Sequence, residues 1–257
     1  MKKYKSLTVL LISLVILSLC VNNVLAEKSS GWYIKRQGNK RPIFPSDSKS
    51  FCDYNAYYID EDYSDENEEK RLYLTFDAGY ENGNVEKILD ILKEQNVPAA
   101  FFLLDNIILK NPELVKRMYA EGHLICNHTK RHKDLSLMTE EEIKNDLSAL
   151  ENICLEKTGI QMSKIFRFPE GKYSNYALKA VNDLGYKTFF WSFAYEDWDN
   201  SKQMSPDKAK KKILDNTHNG AIILLHPTSK TNASILSEVI GEWRDMGYEF
   251  GRIDEIG

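Results

Sequence analysis

Cysteine is scarce in this chain, and what there is suits neither of its usual structural uses. Four of the 257 residues are Cys, with no CxxC pair and no Cys/His spacing of the zinc-finger kind, which excludes a disulfide scaffold or a finger-type zinc site as the source of stability. Cys52, Cys126 and Cys154 are expected to be small buried hydrophobes. A basic excess is also missing. The 34 Lys and Arg against 38 Asp and Glu leave a formal charge of −4, too weak and of the wrong sign for a phosphate backbone, so nucleic acid is not an expected partner. No sequence repeat with a period of about 20–50 residues is present, which excludes a solenoid or propeller. What remains is a chain that is 42% hydrophobic, enough for one sizeable core and a single catalytic domain.

The N-terminus has a different character. Lys2, Lys3 and Lys5 precede an apolar run from Leu7 to Leu19, and Val24 and Ala26 frame a cleavage site before Glu27. Residues 1–26 therefore read as an export signal, with an uncleaved membrane anchor as the alternative. Lipidation at Cys20 is discounted, because Leu19 stands where a small residue is required. Cleavage after Ala26 would leave Cys52, Cys126 and Cys154, so at most one disulfide could form. Residues 27–70 read as an irregular extension ending in an acidic connector. From Asp60 to Lys70 there are seven acids and one lysine, the pattern of a solvated segment.

From Arg71 onward, short apolar runs alternate with stretches of helical period, the pattern of βα units around a parallel sheet. Strands are predicted at 71–76, 99–104, 123–127, 164–168, 188–193, 221–225 and 247–251. Between them, Val85, Ile88, Leu89 and Leu92 space one helical face. Thr139 with Glu142 forms a capping box ahead of Ile143, Leu147, Leu150 and Cys154. Ser205 and Pro206 read as N-cap and first helical residue. A last helix over roughly 232–245 carries Ile235, Leu236, Val239, Ile240 and Trp243. Seven such units over residues 71–257 fit a closed or nearly closed barrel better than an open doubly wound sheet, although the count alone does not separate them.

In parallel βα architectures the chemistry gathers at the carboxyl ends of strands. The polar residues there are few: Asp77 after the first run, His128 after the third, Arg167 in the fourth, Asp197 and Trp198 beyond the fifth, and His226 after the sixth. Two acids, an HxxxH pair (His128 and His132) and one further histidine are what a metal hydrolase needs around one scissile bond. Imidazoles four residues apart reach one divalent ion from one helical face or turn.

The motifs TFDAG, HTKRH, RFPEG, EDW and LLH stand in the order and spacing of the NodB-like polysaccharide deacetylases, and residues 71–257 resemble that family throughout. YLTFDAGYENG, WSFAYEDW and LLHPTS, with YNAYYID at 54–60, resemble its delta-lactam-biosynthetic de-N-acetylase branch, which deacetylates muramic acid in spore-cortex peptidoglycan. The resemblance implies a distorted (β/α)7 TIM-like barrel, a hydrolase acting on a carbon–nitrogen bond, and peptidoglycan glycan strands as partner. It also implies a site outside the cytoplasmic membrane, at the cell wall or spore cortex. In it Asp77 would be the general base, His128 and His132 the ligands of a divalent metal (zinc or another ion), Arg167 the partner of Asp77, and His226 the general acid tuned by Asp197. Trp198 and Leu224 would receive the acetyl methyl group, with Pro169 and Gly171 shaping the wall of the groove.

Two positions depart from the family pattern. Where most members carry a second acid that binds the metal, this chain has Ala78, which has no donor atom. The ion would then rest on two neutral imidazoles and be weakly held or exchangeable. Ala194 stands where many relatives have an acid, which removes a secondary hydrogen bond. Two further readings stay open: deacetylation of N-acetylglucosamine in peptidoglycan or chitin-type oligomers, and a catalytically inactive glycan-binding module.

Overall fold

The computed structural model describes residues 29–44 and 51–257, so the expected signal or anchor at 1–26 lies outside the described residues. The Cys52 side chain does too; Cys126 and Cys154 are both free and buried. Among the described residues no helix is long and apolar enough to cross a membrane.

One sheet carries the fold. Its strands are β1 (Ala56–Tyr57), β2 (Lys70–Ala78), β3 (Ala99–Leu103), β4 (Leu124–Asn127), β5 (Ile165–Phe166), β6 (Lys187–Phe189), β7 (Ala221–Leu225) and β8 (Tyr248–Phe250). They pair in parallel in the order β7-β2-β3-β4-β5-β6-β1, and β8 pairs with Lys70–Leu72 of β2, below the point where β3 takes over that strand. Beyond β6 the chain crosses to β7. The amides of Ser192 and Phe193 donate to the Ile222 carbonyl at 3.0 and 3.3 Å, and Leu224 N–H donates to the Phe193 carbonyl at 2.9 Å. These bonds bring the two ends of the sheet together, so the sheet curls into a distorted barrel.

Outside it lie α1 (Val85–Glu94), α2 (Asp105–Lys110), α3 (Pro112–Ala120), α4 (Glu140–Thr158), α5 (Asn175–Asp183), α6 (Pro206–Leu214) and α7 (Lys230–Asp245). Each lays one apolar stripe on the sheet, as Val85, Ile88, Leu89 and Leu92 do for α1, all fully buried. The Thr139/Glu142 capping box opens α4, and Gly159 closes it in the left-handed conformation. Helix α7 starts two residues earlier than its apolar spacing predicts, because the Ser229 hydroxyl caps it by accepting from Asn232 N–H at 3.1 Å.

All seven predicted strands are present, but two stop two or more residues short of their expected carboxyl ends. β5 stops at Phe166 because Arg167 turns into the barrel and Pro169, which lacks an N–H, follows. β6 stops at Phe189 because residues 192 and 193 leave that ladder for β7.

The extension at 27–70 also contributes to the barrel, since β1 lies within it and hydrogen-bonds to β6. Trp32 packs its ring 5.2 Å from Phe51 and 4.8 Å from Phe190 and donates its indole N–H to the Trp191 carbonyl at 2.9 Å. In the acidic run Asp60 is buried and accepts a bond from the Tyr73 hydroxyl, while the other six acids are exposed. Composition gives no warning of this, because one buried carboxylate among seven reads as part of a solvated run.

Gly171 sits where this extension meets the barrel. Its φ is +64°, and a Cβ there would lie 2.7 Å from Trp32 Cβ and 3.0 Å from the Trp191 ring. Gly171→Ala is expected to cost about 1–2 kcal/mol from the left-handed backbone alone, with crowding in addition. A fall in the urea midpoint at unchanged slope would register it; an unchanged midpoint would mean that the two tryptophans move aside freely.

Candidate active site

Asp77 is the penultimate residue of β2, and its side chain is 9% exposed at the carboxyl end of the barrel. A buried carboxylate is tolerated only when paired and hydrogen-bonded. The partner is Arg167, itself fully buried, whose Nη1 donates to Asp77 Oδ1 at 2.8 Å. The guanidinium is fixed from behind: Nε donates to the Phe189 carbonyl at 2.9 Å, Nη2 to the Phe190 carbonyl at 3.1 Å, and the group lies 4.0 Å from the centre of the Phe102 ring. Burial by itself would raise the Asp77 pKa, but His128, Arg167 and His226 around it and the Arg167 hydrogen bond hold it below the usual carboxylate range.

The HxxxH pair occupies a turn rather than a helix. Thr129 and His132 have φ of +70° and +56°, conformations that a β-branched residue or a histidine adopts only under tertiary constraint. The constraints are Asn127 Oδ1, which accepts from Thr129 N–H at 2.9 Å, and Asp146 Oδ1, which accepts from Lys130 N–H at 2.8 Å. The two imidazole rings come to 5.0 Å centroid to centroid. His128 Nδ1 lies 2.9 Å from the Arg167 carbonyl; a carbonyl only accepts, so the ring proton sits on Nδ1 and the Nε2 lone pair is left for a ligand. Nε2 is 3.4 Å from Asp77 Oδ2. Burial pushes His128 down to about 4 against the pull of Asp77, and His132 is lowered by burial as well, so both rings are neutral near pH 7.

Two neutral imidazoles beside a carboxylate fit a divalent ion by the chemistry of their donors. Ala78 lines the same cleft and supplies none. Among the described residues no three His, Cys, Asp or Glu side chains are arranged as a ligand set.

Across the cleft, Asp197 Oδ1 accepts from His226 Nδ1 at 2.7 Å and Oδ2 accepts from His226 backbone N–H at 2.8 Å. That fixes the ring with Nε2 as its free nitrogen. Burial by itself would lower the His226 pKa, but the hydrogen bond and charge of Asp197, with Asp77 beyond, raise it above the ordinary value. Trp198 packs edge-on to this ring at 6.1 Å.

These groups share one cleft of about 640 Å³, lined by Asp77, His128, His132 and His226 together with Trp198 and Leu224. Pro169 and Gly171 are buried behind the wall; the residue between them, Glu170, lines the cleft from a backbone with φ of +56°. Glu170, Tyr80, Trp191, Tyr195 and Thr228, which lie inside the quoted motifs but carry no role there, also line the cleft, and Asn232 supports it. For Tyr80 a signal was available in its place directly after TFDAG. Asn232 offered none, because a polar residue in a first helical turn reads as part of the cap.

The polysaccharide deacetylase family model matches residues 64–189. The peptidoglycan-N-acetylmuramic acid deacetylase PdaA of Bacillus subtilis is 38% identical over 229 residues, 88% of this chain and 84% of that one. Its solved structure, described as a family 4 carbohydrate esterase, superposes with a TM-score of 0.83 at 36% identity, over 89% of this chain and 97% of that one. The peptidoglycan-N-acetylglucosamine deacetylase PgdA of Listeria monocytogenes is 33% identical over 187 residues, 73% of this chain and 39% of that one. With a shared barrel and 38% identity to PdaA over 84% of that protein, the chain belongs to the polysaccharide deacetylase family.

Proposed function

We propose that this protein is a peptidoglycan N-deacetylase that removes the acetyl group from N-acetylmuramic acid, outside the cytoplasmic membrane, in wall or spore-cortex glycan. The freed amine can then close onto the lactyl carboxyl group to give muramic delta-lactam. The observation that carries the reading is the meeting in one cleft of an ionised Asp77, a neutral His128/His132 pair and a His226 whose pKa Asp197 raises. Similarity to an N-acetylmuramic acid deacetylase over 88% of the chain supports the substrate.

Asp77, kept ionised by Arg167, is placed to take the proton of a water attacking the acetamide carbon. His226, whose protonated form Asp197 favours, is placed to hand a proton to the departing nitrogen, which is otherwise a very poor leaving group. His128 and His132 would hold a divalent ion, which when bound supplies Lewis-acid polarisation and lowers the pKa of water. Trp198 and Leu224 offer the methyl group an apolar surface.

Glycan strands freed of stem peptides, incubated with the protein and analysed by mass spectrometry, should lose acetyl from muramic acid residues and gain delta-lactam. Loss from glucosamine alone would replace this reading with the glucosamine one. Binding of glycan without acetate release under any divalent ion would point to an inactive module.

The pH profile tests the acid. His226 has a raised pKa and is required protonated, so activity should persist below that pKa and fall as the pH rises through it. Asp197→Asn removes the stabilising charge and leaves burial in control. The alkaline limb should therefore move to lower pH, and an unmoved limb would mean that His226 is not the acid. Removal of the ion with a chelator is expected to abolish acetate release, with recovery on adding back zinc or another divalent ion.

A further inference from the structure

The Asp197–His226 pair rests on a third side chain. Asn232 is fully buried in the first turn of α7. Its Nδ2 donates to Asp197 Oδ2 at 2.6 Å and to the His226 carbonyl at 3.1 Å. Its Oδ1 accepts from the Tyr195 hydroxyl, and Tyr195 in turn lines the cleft. Every hydrogen-bonding atom of this amide has a partner in the assembly around His226, and its backbone N–H is spent on the Ser229 cap.

We propose that Asn232, oriented by Tyr195, is the positioning residue that locks the Asp197 carboxylate in the plane that holds His226 toward the cleft. The inference rests on His226 being the acid of the proposed reaction. A carboxylate turns easily about its terminal torsion, where the energy wells are broad. Both of the bonds from His226 come from a single residue, one from its ring and one from its backbone N–H. Asn232 adds a donor on Oδ2 from a different element, helix α7, and grips the His226 carbonyl with the same amide, so ring, carboxylate and backbone form one closed hydrogen-bonded unit.

Removing the amide should let Asp197 swing, weaken its bond to Nδ1 and leave burial to govern the imidazole. The groups facing His226 are Asp197, Asp77 from β2, Arg167 from beyond β5 and His132 from the turn after β4. None of the other three donates to Asp197 in its place.

The experiment compares wild type, Asn232→Ala and Tyr195→Phe by the kcat and KM for glycan strands and by NMR titration of the His226 ring. Asn232→Ala should lower kcat by about tenfold or more, the scale on which supporting partners of site residues act, with KM little changed and the His226 midpoint moved down. Tyr195→Phe, which deletes one hydroxyl, should shift both in the same direction by less, and it carries the test if Asn232→Ala does not fold. Because Asn232 and Tyr195 act through one chain of bonds, their effects should be non-additive in the double variant. A folded Asn232→Ala protein with unchanged kcat and unchanged His226 midpoint would overturn the proposal. The NMR titration does not depend on turnover. If the midpoint moves but wild type releases no acetate, the functional reading fails and the positioning role of Asn232 stands.

Discussion

Asp77→Asn is expected to reduce acetate release by about 100- to 10,000-fold, the range that a general base contributes, while the barrel stays folded. The amide keeps an oxygen that can accept from Arg167 Nη1, so the 2.8 Å contact has a replacement, but it has no lone pair basic enough to take a proton. The loss should therefore appear in kcat. Metal binding should be largely retained, since the lone pairs of His128 and His132 are untouched, and zinc titration by calorimetry would separate the two effects. Turnover near the wild-type rate would mean that the base has been misassigned. His128→Ala should differ by losing turnover and ion together.

Arg167→Met should produce the largest loss of stability, about 3–5 kcal/mol, the usual cost of removing one partner of a buried ion pair. It strips the cation from a buried carboxylate and leaves the carbonyls of Phe189 and Phe190 without their donors. The pair is worth less than this figure, because most of the cost is the uncompensated charge left behind. Combining Arg167→Met with Asp77→Ala should accordingly restore part of the stability without restoring activity. Denaturant unfolding of the two single variants and the double variant measures the coupling. Purely additive losses would mean that Arg167 acts mainly as a tie between the Phe189 and Phe190 carbonyls rather than as the counter-ion of Asp77.

Most of the barrel was readable along the chain because each βα unit is a local pattern. Apolar runs of four to six residues set the strands, and Thr139/Glu142 and Ser205/Pro206 mark helix starts by local hydrogen bonding or backbone preference. The reading lost accuracy where a strand's boundary depends on its neighbour. Residues 192 and 193 continue the predicted run of β6 in sequence but belong to the closure against β7 in space. It missed β1, whose two residues form a strand only because the β6 edge is there to bond them.

The candidate site divides in the same way. The residue types and their strand-end positions are properties of the sequence, and Asp77, His128, His132, Arg167, Asp197 and His226 could be named from them. Whether Arg167 faces Asp77 or a loop, which nitrogen of His128 carries the proton, and why a positive φ is sustained at Thr129 and His132 depend on groups as much as 90 residues away in the chain. Asn232 and Tyr195 were invisible for that reason, since what they do is defined wholly by Asp197 and His226. The sequence by itself determined the βα periodicity, the family and the candidate site residues, because periodicity and motifs are local. Tertiary structure alone decided which charges are paired, which imidazoles are neutral and what holds each of them, because those properties arise from burial and from contacts between segments remote in the chain.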